Sequence, residues 1–291
     1  MVPPGRRTGR HPLRKALMNG STGFVERHDG KLACTVIGEG QLVVCSPSLG
    51  DLRSTYTYLA EDLASAGFKV ISADLRGHGG SSVDWPSYSA DDVADDLLAI
   101  ARAHDADSVI LIGNGFSGGA AVIAASKAPD LVSGLILSGA VVRDVQLGQA
   151  ERAMMRLATL PRLGQTLWMS YWPKLFGFEK PANFEVRHQE LADNLAEPGR
   201  FVAAREMLKS SRASAEKALG QVTCPTLVLM GDQDPDFRDA GVEAQNTAAR
   251  LGGPATVVMV PGAGHYPHTE DMETVTPVVI DFLRTLAPAR S

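Results

Sequence analysis

Cysteine is scarce in this chain: Cys34, Cys45 and Cys224 are the only three among 291 residues, and they stand far apart. Such spacing argues against a disulfide framework or a cysteine zinc site and points to reduced thiols in a cytoplasm. A basic excess is also missing, with 28 Lys and Arg against 33 Asp and Glu and a net charge of −5. Nucleic-acid-binding surfaces need a basic stripe, so that class of partner is set aside. No apolar run is long enough to span a membrane, and no pattern calls for a cofactor. The expected partner is a small-molecule substrate, taken by a monomer or homodimer.

What is present is a strand–helix rhythm. The first twenty residues hold five Arg or Lys and no acid, and residues 1–22 read as a disordered basic tail. Two short strands then flank Asp29-Gly30, a hairpin signal. Apolar runs at 41–46, 68–75, 108–113 and 133–139 alternate with helical patterns at 57–67, 89–104 and 118–128. Residues 143–219 break the rhythm with helical patterns punctuated by Pro161, Pro173, Pro181 and Pro198. Strands at 225–231 and 255–262 and helices at 239–251 and 272–286 restore it. The pattern predicts an α/β fold with a mostly parallel sheet, helices on both faces, a core of 23–142 and 220–291, and a helical cap over 143–219.

LIGNGFSGG (111–119) is the stretch with the most chemical content. Gly113-x-Gly115-x-x-Gly118 matches a dinucleotide fingerprint, but the next strand ends Leu137-Ser138-Gly139 and lacks the acid that would hold a ribose. Gly115-x-Ser117-x-Gly119 matches the G-x-S-x-G elbow of a serine hydrolase. A third register puts glycine, Gly115, at the nucleophile position. Farther on, Asp232 and Asp234 follow one strand and His265 follows the next. Serine elbow, acid and histidine in that order form the chain order of an α/β-hydrolase triad.

After residue 23 the chain resembles the α/β-hydrolase superfamily, its capped esterase- and lyase-like members included. DLRGHGGSS (74–82), MGDQDP (230–235) and GAGHYPHTED (262–271) are similar to its conserved-turn, acid and histidine segments. The resemblance implies Asp234 orienting His265, with Leu49 and Phe116 N–H groups as oxyanion donors. Two departures stand out. The oxyanion turn reads Pro47-Ser48-Leu49 where the family has His-Gly-x. Elbow helices in this family commonly run to a proline about fourteen residues after the nucleophile; Gly115 stands fourteen residues before Pro129, so the nucleophile position falls on Gly115. Glycine relieves the positive-φ strain of that turn, but it offers no hydroxyl.

Three functions follow. The first is an enzyme on a small, apolar ester or carbonyl compound, in which His265 activates water or takes a proton from the substrate, giving hydrolysis or lyase- or cyclase-type chemistry. The second is a conventional ester hydrolase using Ser117 as the alternative nucleophile. The third is a non-catalytic small-molecule binder. LWMSYWPKLFGF (167–178) fits the core of the cap, and Trp168, Tyr171 and Trp172 are candidate substrate-binding residues. His265-x-x-His268 lacks a third metal ligand, so no metal is expected and His268 reads as a solvated loop residue. Asp74, Arg76 and His78 are expected to organise a structural turn.

Overall fold

The Asp29-Gly30 turn joins β1 (Ser21–Arg27) and β2 (Gly30–Ile37) as an antiparallel hairpin in the computed structural model, which describes residues 20–144 and 149–286. The basic tail lies outside the described residues as far as position 19, and Ser21 and Thr22 already belong to β1. The remaining strands are β3 (Gln41–Ser46), β4 (Phe68–Ala73), β5 (Val109–Asn114), β6 (Val132–Ser138), β7 (Thr226–Gly231) and β8 (Ala255–Val260). All lie in one eight-stranded sheet ordered β1-β2-β4-β3-β5-β6-β7-β8. Every pair from β4 through β8 is parallel, and only the pairs made by β2 are antiparallel.

Period-two alternation along buried strands supplies two apolar layers. Val109 and Leu111 of β5 face α2 (Ala90–Ala103) and α3 (Phe116–Lys127). Ile110 and Ile112 face α1 (Thr57–Ser65) and α11 (Met272–Leu286) on the other side. Ser89 and Asp92 form a capping box that starts α2. Helix α3 has no side-chain cap, and its small residues let it lie against β5 and β6. A Cβ on Gly113 would come within 2.5 Å of Ser117 O, and one on Gly118 within 2.3 Å of Ala140 Cβ. Close packing at the start of α3 therefore accounts for Gly113 and Gly118 of the dinucleotide-like pattern, while Gly115 sits at positive φ.

Between β6 and β7 the described chain is helical: α4 (Gln149–Ala158), α5 (Pro161–Tyr171), α6 (Phe184–Ala196), α7 (Arg200–Lys209) and α8 (Ala213–Ala218). Pro161 opens α5, where a missing N–H costs nothing. Trp172, Phe176 and Phe184 pack with Tyr266 into an aromatic cluster, the Trp172–Phe176 and Phe176–Tyr266 ring centroids each 4.8 Å apart.

One buried ion pair fastens these helices to the segment between β3 and α1. Arg187 of α6 donates from Nη2 to Asp51 Oδ2 at 2.9 Å and to Thr55 Oγ1 at 2.8 Å. Removing one partner strands a buried charge. Arg187→Leu is expected to lower stability by about 3–5 kcal/mol, seen as a fall in the urea midpoint. Pairing it with Asp51→Leu should recover most of that loss; a double variant as unstable as the single one would contradict this account.

Candidate active site

The sheet brings three loops to the C-terminal ends of its parallel strands. The first follows β7. There Asp234 is 3% exposed, and its Oδ1 accepts the Asp236 N–H at 3.0 Å, which fixes the carboxylate. Asp232 is exposed and accepts the Gly262 N–H at 2.7 Å, tying this loop to the one after β8.

The loop after β8 carries His265, 2% exposed. Its Nδ1 lies 2.9 Å from Asp234 Oδ2 and 3.6 Å from Asp236 Oδ2. Burial alone pulls this imidazole down, but the two carboxylates more than offset it and its pKa is pushed up to about 9. Glu270, in α10 (Pro267–Glu270), holds the loop from beneath. It accepts the N–H groups of Gly177 at 2.6 Å, Gly264 at 2.9 Å and Tyr266 at 3.0 Å. Asn114 Nδ2 donates to Ser138 O at 2.8 Å and His265 O at 2.9 Å, which sets the loop against the end of β5.

The third loop is the turn between β5 and α3. Gly115 has φ 53° and ψ −116°, a conformation that strains a side-chain-bearing residue. An ideal Cβ placed there would lie 2.6 Å from His265 Nε2. Position 115 is thus the one that faces the imidazole. Ser117 is fully buried, its Oγ donating to Pro47 O at 2.5 Å and lying 2.9 Å from Ser46 Oγ. Its hydroxyl pins α3 to the end of β3.

The Pro47-Ser48-Leu49 turn leaves β3 beside this elbow. Ser48 Oγ accepts the Phe116 N–H at 3.3 Å. Leu49 and Phe116, the residues expected to lend oxyanion donors, are 7% and 1% exposed. The next residue is held from both sides. Its N–H, on Gly50, donates to His78 Nε2 at 3.0 Å, and Gly50 O accepts from Trp168 Nε1 at 3.0 Å. His78 Nδ1 in turn donates to Arg76 O at 3.0 Å, Arg76 pairs with Asp96, and Asp74 accepts from Arg53 and Gly80. Asp74, Arg76 and His78 therefore do brace a turn, one that supports the candidate oxyanion loop.

The three candidate substrate-binding aromatics part company. Trp168 of α5 donates to Gly50 O, and Tyr171 donates its hydroxyl to Asp236 Oδ1 at 2.6 Å, so both lie against loops of the site. Trp172 is fully buried in the aromatic cluster of the helical segment. His268 requires a correction: it is 1% exposed rather than solvated. Pro267 turns the chain into α10 and aims His268 inward, where Nδ1 lies 3.0 Å from Ser138 Oγ and the ring stacks on Tyr56 at 4.8 Å. Burial, with the charges of Arg187 and His265, holds this imidazole well below its ordinary value, so it is neutral.

Asp234, Asp236 and His265 bring potential metal-ligating atoms within 4.8 Å of one another, the only such group among the described residues. The Nδ1–Asp234 contact is a direct hydrogen bond, which leaves no room for an ion between those two atoms. Sequence reasoning missed Asp236, two positions past Asp234 in an acid-rich loop, and it missed Glu270, whose role depends on three separated N–H groups.

A family model described as "alpha/beta hydrolase fold" matches residues 41–271. The chain is 25% identical over 226 residues to the 2-(acetamidomethylene)succinate hydrolase of Mesorhizobium japonicum, covering 74% of this chain and 78% of that one. It is 23% identical to an AB hydrolase superfamily protein of Bacillus subtilis, covering 84% and 92%. Among solved structures, a thermophilic esterase from Thermogutta terrifontis with malate bound superimposes with a TM-score of 0.76 at 25% identity, over 92% of this chain and all of that one. With the strand order, the elbow and the family model in agreement, this chain belongs to the α/β-hydrolase fold family.

Proposed function

We propose that this protein is an enzyme acting on a small, apolar ester or carbonyl compound, with His265 as general base and Asp234 as the residue that orients it. One observation carries this: His265 Nδ1 is bonded to Asp234 Oδ2 at 2.9 Å while Nε2 faces position 115. An imidazole held this way presents one defined nitrogen to a substrate and can hold the proton it accepts. The N–H groups of Leu49 and Phe116 then receive the negative charge that develops on a carbonyl oxygen. The proton that His265 removes does not come from residue 115, which has no hydroxyl. A conventional role for Ser117 is disfavoured by its bonds to Pro47 and Ser46. The apolar preference is supported by Trp168 and Tyr171, which lie against loops of the site.

The test is a pH profile. A base must be unprotonated to accept a proton, and His265 is raised to about 9. kcat/KM on a panel of p-nitrophenyl esters is therefore expected to climb from pH 6 and level off above about 9. A profile that is flat across that range, or unchanged in His265→Ala, would remove His265 as the base; no turnover of any ester would leave ligand binding as the function.

A further inference from the structure

We infer that Ser48 supplies the nucleophilic hydroxyl of this site, handed across from the oxyanion turn to the place an elbow serine would fill. This rests on the dyad proposed above. The structure sets two separate sequence departures against each other. Where the family reads His-Gly-x, this chain has a serine, Ser48; where the family has its nucleophile, this chain has a glycine, Gly115. These positions lie 67 apart in sequence, yet an ideal Cβ on Gly115 would fall 2.2 Å from Ser48 Oγ and 2.8 Å from Ser48 Cβ. The side chain of Ser48 therefore occupies the volume that Gly115 leaves empty. The same Cβ position is 2.6 Å from His265 Nε2, so hydroxyl and imidazole border one pocket of space.

The placement is built, not incidental. Ser48 is only 6% exposed, although it sits in a turn between a strand and a helix. Its carbonyl accepts the Asp51 N–H at 3.2 Å, Gly50 is gripped by His78 and Trp168, and Asp51 is paired with Arg187. A turn tied at successive residues holds its hydroxyl in a fixed direction, as a preorganised nucleophile requires. The Phe116 N–H, at the start of α3, already points at that oxygen from 3.3 Å.

With a carboxylic ester the step balances. Ser48 Oγ attacks the acyl carbon as its proton passes to His265 Nε2, and the carbonyl oxygen takes the negative charge. The Phe116 N–H, released from Oγ, meets that oxygen beside the Leu49 N–H. Collapse breaks the acyl–alkoxy bond, and the alcohol leaves with the proton from His265. Water, deprotonated by His265, then splits the Ser48 acyl ester to give the acid and free serine.

A fluorophosphonate probe and p-nitrophenyl acetate test this on the full chain. Intact mass and peptide mapping should show one phosphonyl adduct per chain, on Ser48, absent from Ser48→Ala and from His265→Ala. Turnover of p-nitrophenyl acetate should fall about a thousandfold or more in Ser48→Ala. Should Ser48→Ala fail to fold, Ser48→Cys decides: iodoacetamide should alkylate that thiol faster than in Ser48→Cys/His265→Ala. An adduct on Ser117, no adduct at all, or equal alkylation rates would overturn the assignment. Turnover that survives Ser48→Ala but is lost in His265→Ala would overturn Ser48 while leaving the dyad in place. Turnover that survives His265→Ala would overturn the dyad itself.

Discussion

Gly115→Ser alone is expected to lose stability and show little esterase activity, while Gly115→Ser with Ser48→Gly should exceed it by about a hundredfold or more in kcat/KM. The reason is steric. A Cβ at 115 would meet Ser48 Oγ at 2.2 Å and Ser48 Cβ at 2.8 Å, both closer than real contacts allow. Serine at the elbow must push Ser48 off its turn, and that turn carries a candidate oxyanion donor. Cutting Ser48 back to glycine clears the space and returns both positions to the family pattern. The remaining costs are a small shift of the His265 ring, whose Nε2 would lie 2.6 Å from the new Cβ, and the positive φ at 115, about 1–3 kcal/mol, which a domain of roughly 5–15 kcal/mol tolerates. Melting temperatures and kcat/KM for wild type, both single variants and the double variant close the cycle. A single Gly115→Ser variant more active than the pair would show that Ser48 does not obstruct the elbow.

The second large effect falls on the dyad. Asp234→Asn is expected to cut kcat on p-nitrophenyl esters roughly 10⁴-fold, because an amide can offer its N–H to Nδ1 and hold the wrong tautomer. Asp236 lies 3.6 Å from the same nitrogen and is committed to Tyr171, so it is a poor substitute. Stability should respond too. The folded pKa of His265 is raised above the ordinary 6.5 to about 9. Stability from this pair is therefore fully present below about 6.5 and is lost as pH rises through about 9. The melting-temperature gap between wild type and Asp234→Asn should be wide at pH 6 and narrow at pH 10. A gap independent of pH would mean that the imidazole is not charged in the folded state.

Much of the fold was readable because burial writes itself into sequence as period. VILIG (109–113) alternates its side chains between two helix layers, and the helices over 57–65 and 272–286 show their apolar stripes directly. The elbow register came from the resemblance, since family elbow helices commonly run to a proline about fourteen residues on and Pro129 stands at that spacing from Gly115. The meeting of Ser48 with Gly115 left no such trace. It depends on β3 and β5 pairing side by side, with Ser46 opposite Gly113, although their turns are 67 positions apart, and no local pattern encodes that pairing. His268 misled for a similar reason: a polar residue two past a glycine-rich loop looks solvated until Ser138 and Tyr56 are seen to receive it. Trp172 and Trp168 share one aromatic run, yet Trp172 is fully buried in the cluster while Trp168, packed against its edge, reaches Gly50.

Tyr171 joins the helical segment to the electrostatics of His265. Its hydroxyl is bonded to Asp236, and Asp236 is one of the charges that raise the basicity of His265. His265 is 2% exposed and Ser48 6%, and beside them Tyr171 is bonded to Asp236 and Trp168 to Gly50. The hydroxyl engages Oδ1 of that carboxylate, while Oδ2 lies 3.6 Å from His265 Nδ1. A change at Tyr171 is therefore felt two residues away: Tyr171→Phe takes a donor from Asp236 and so alters the charge that His265 faces.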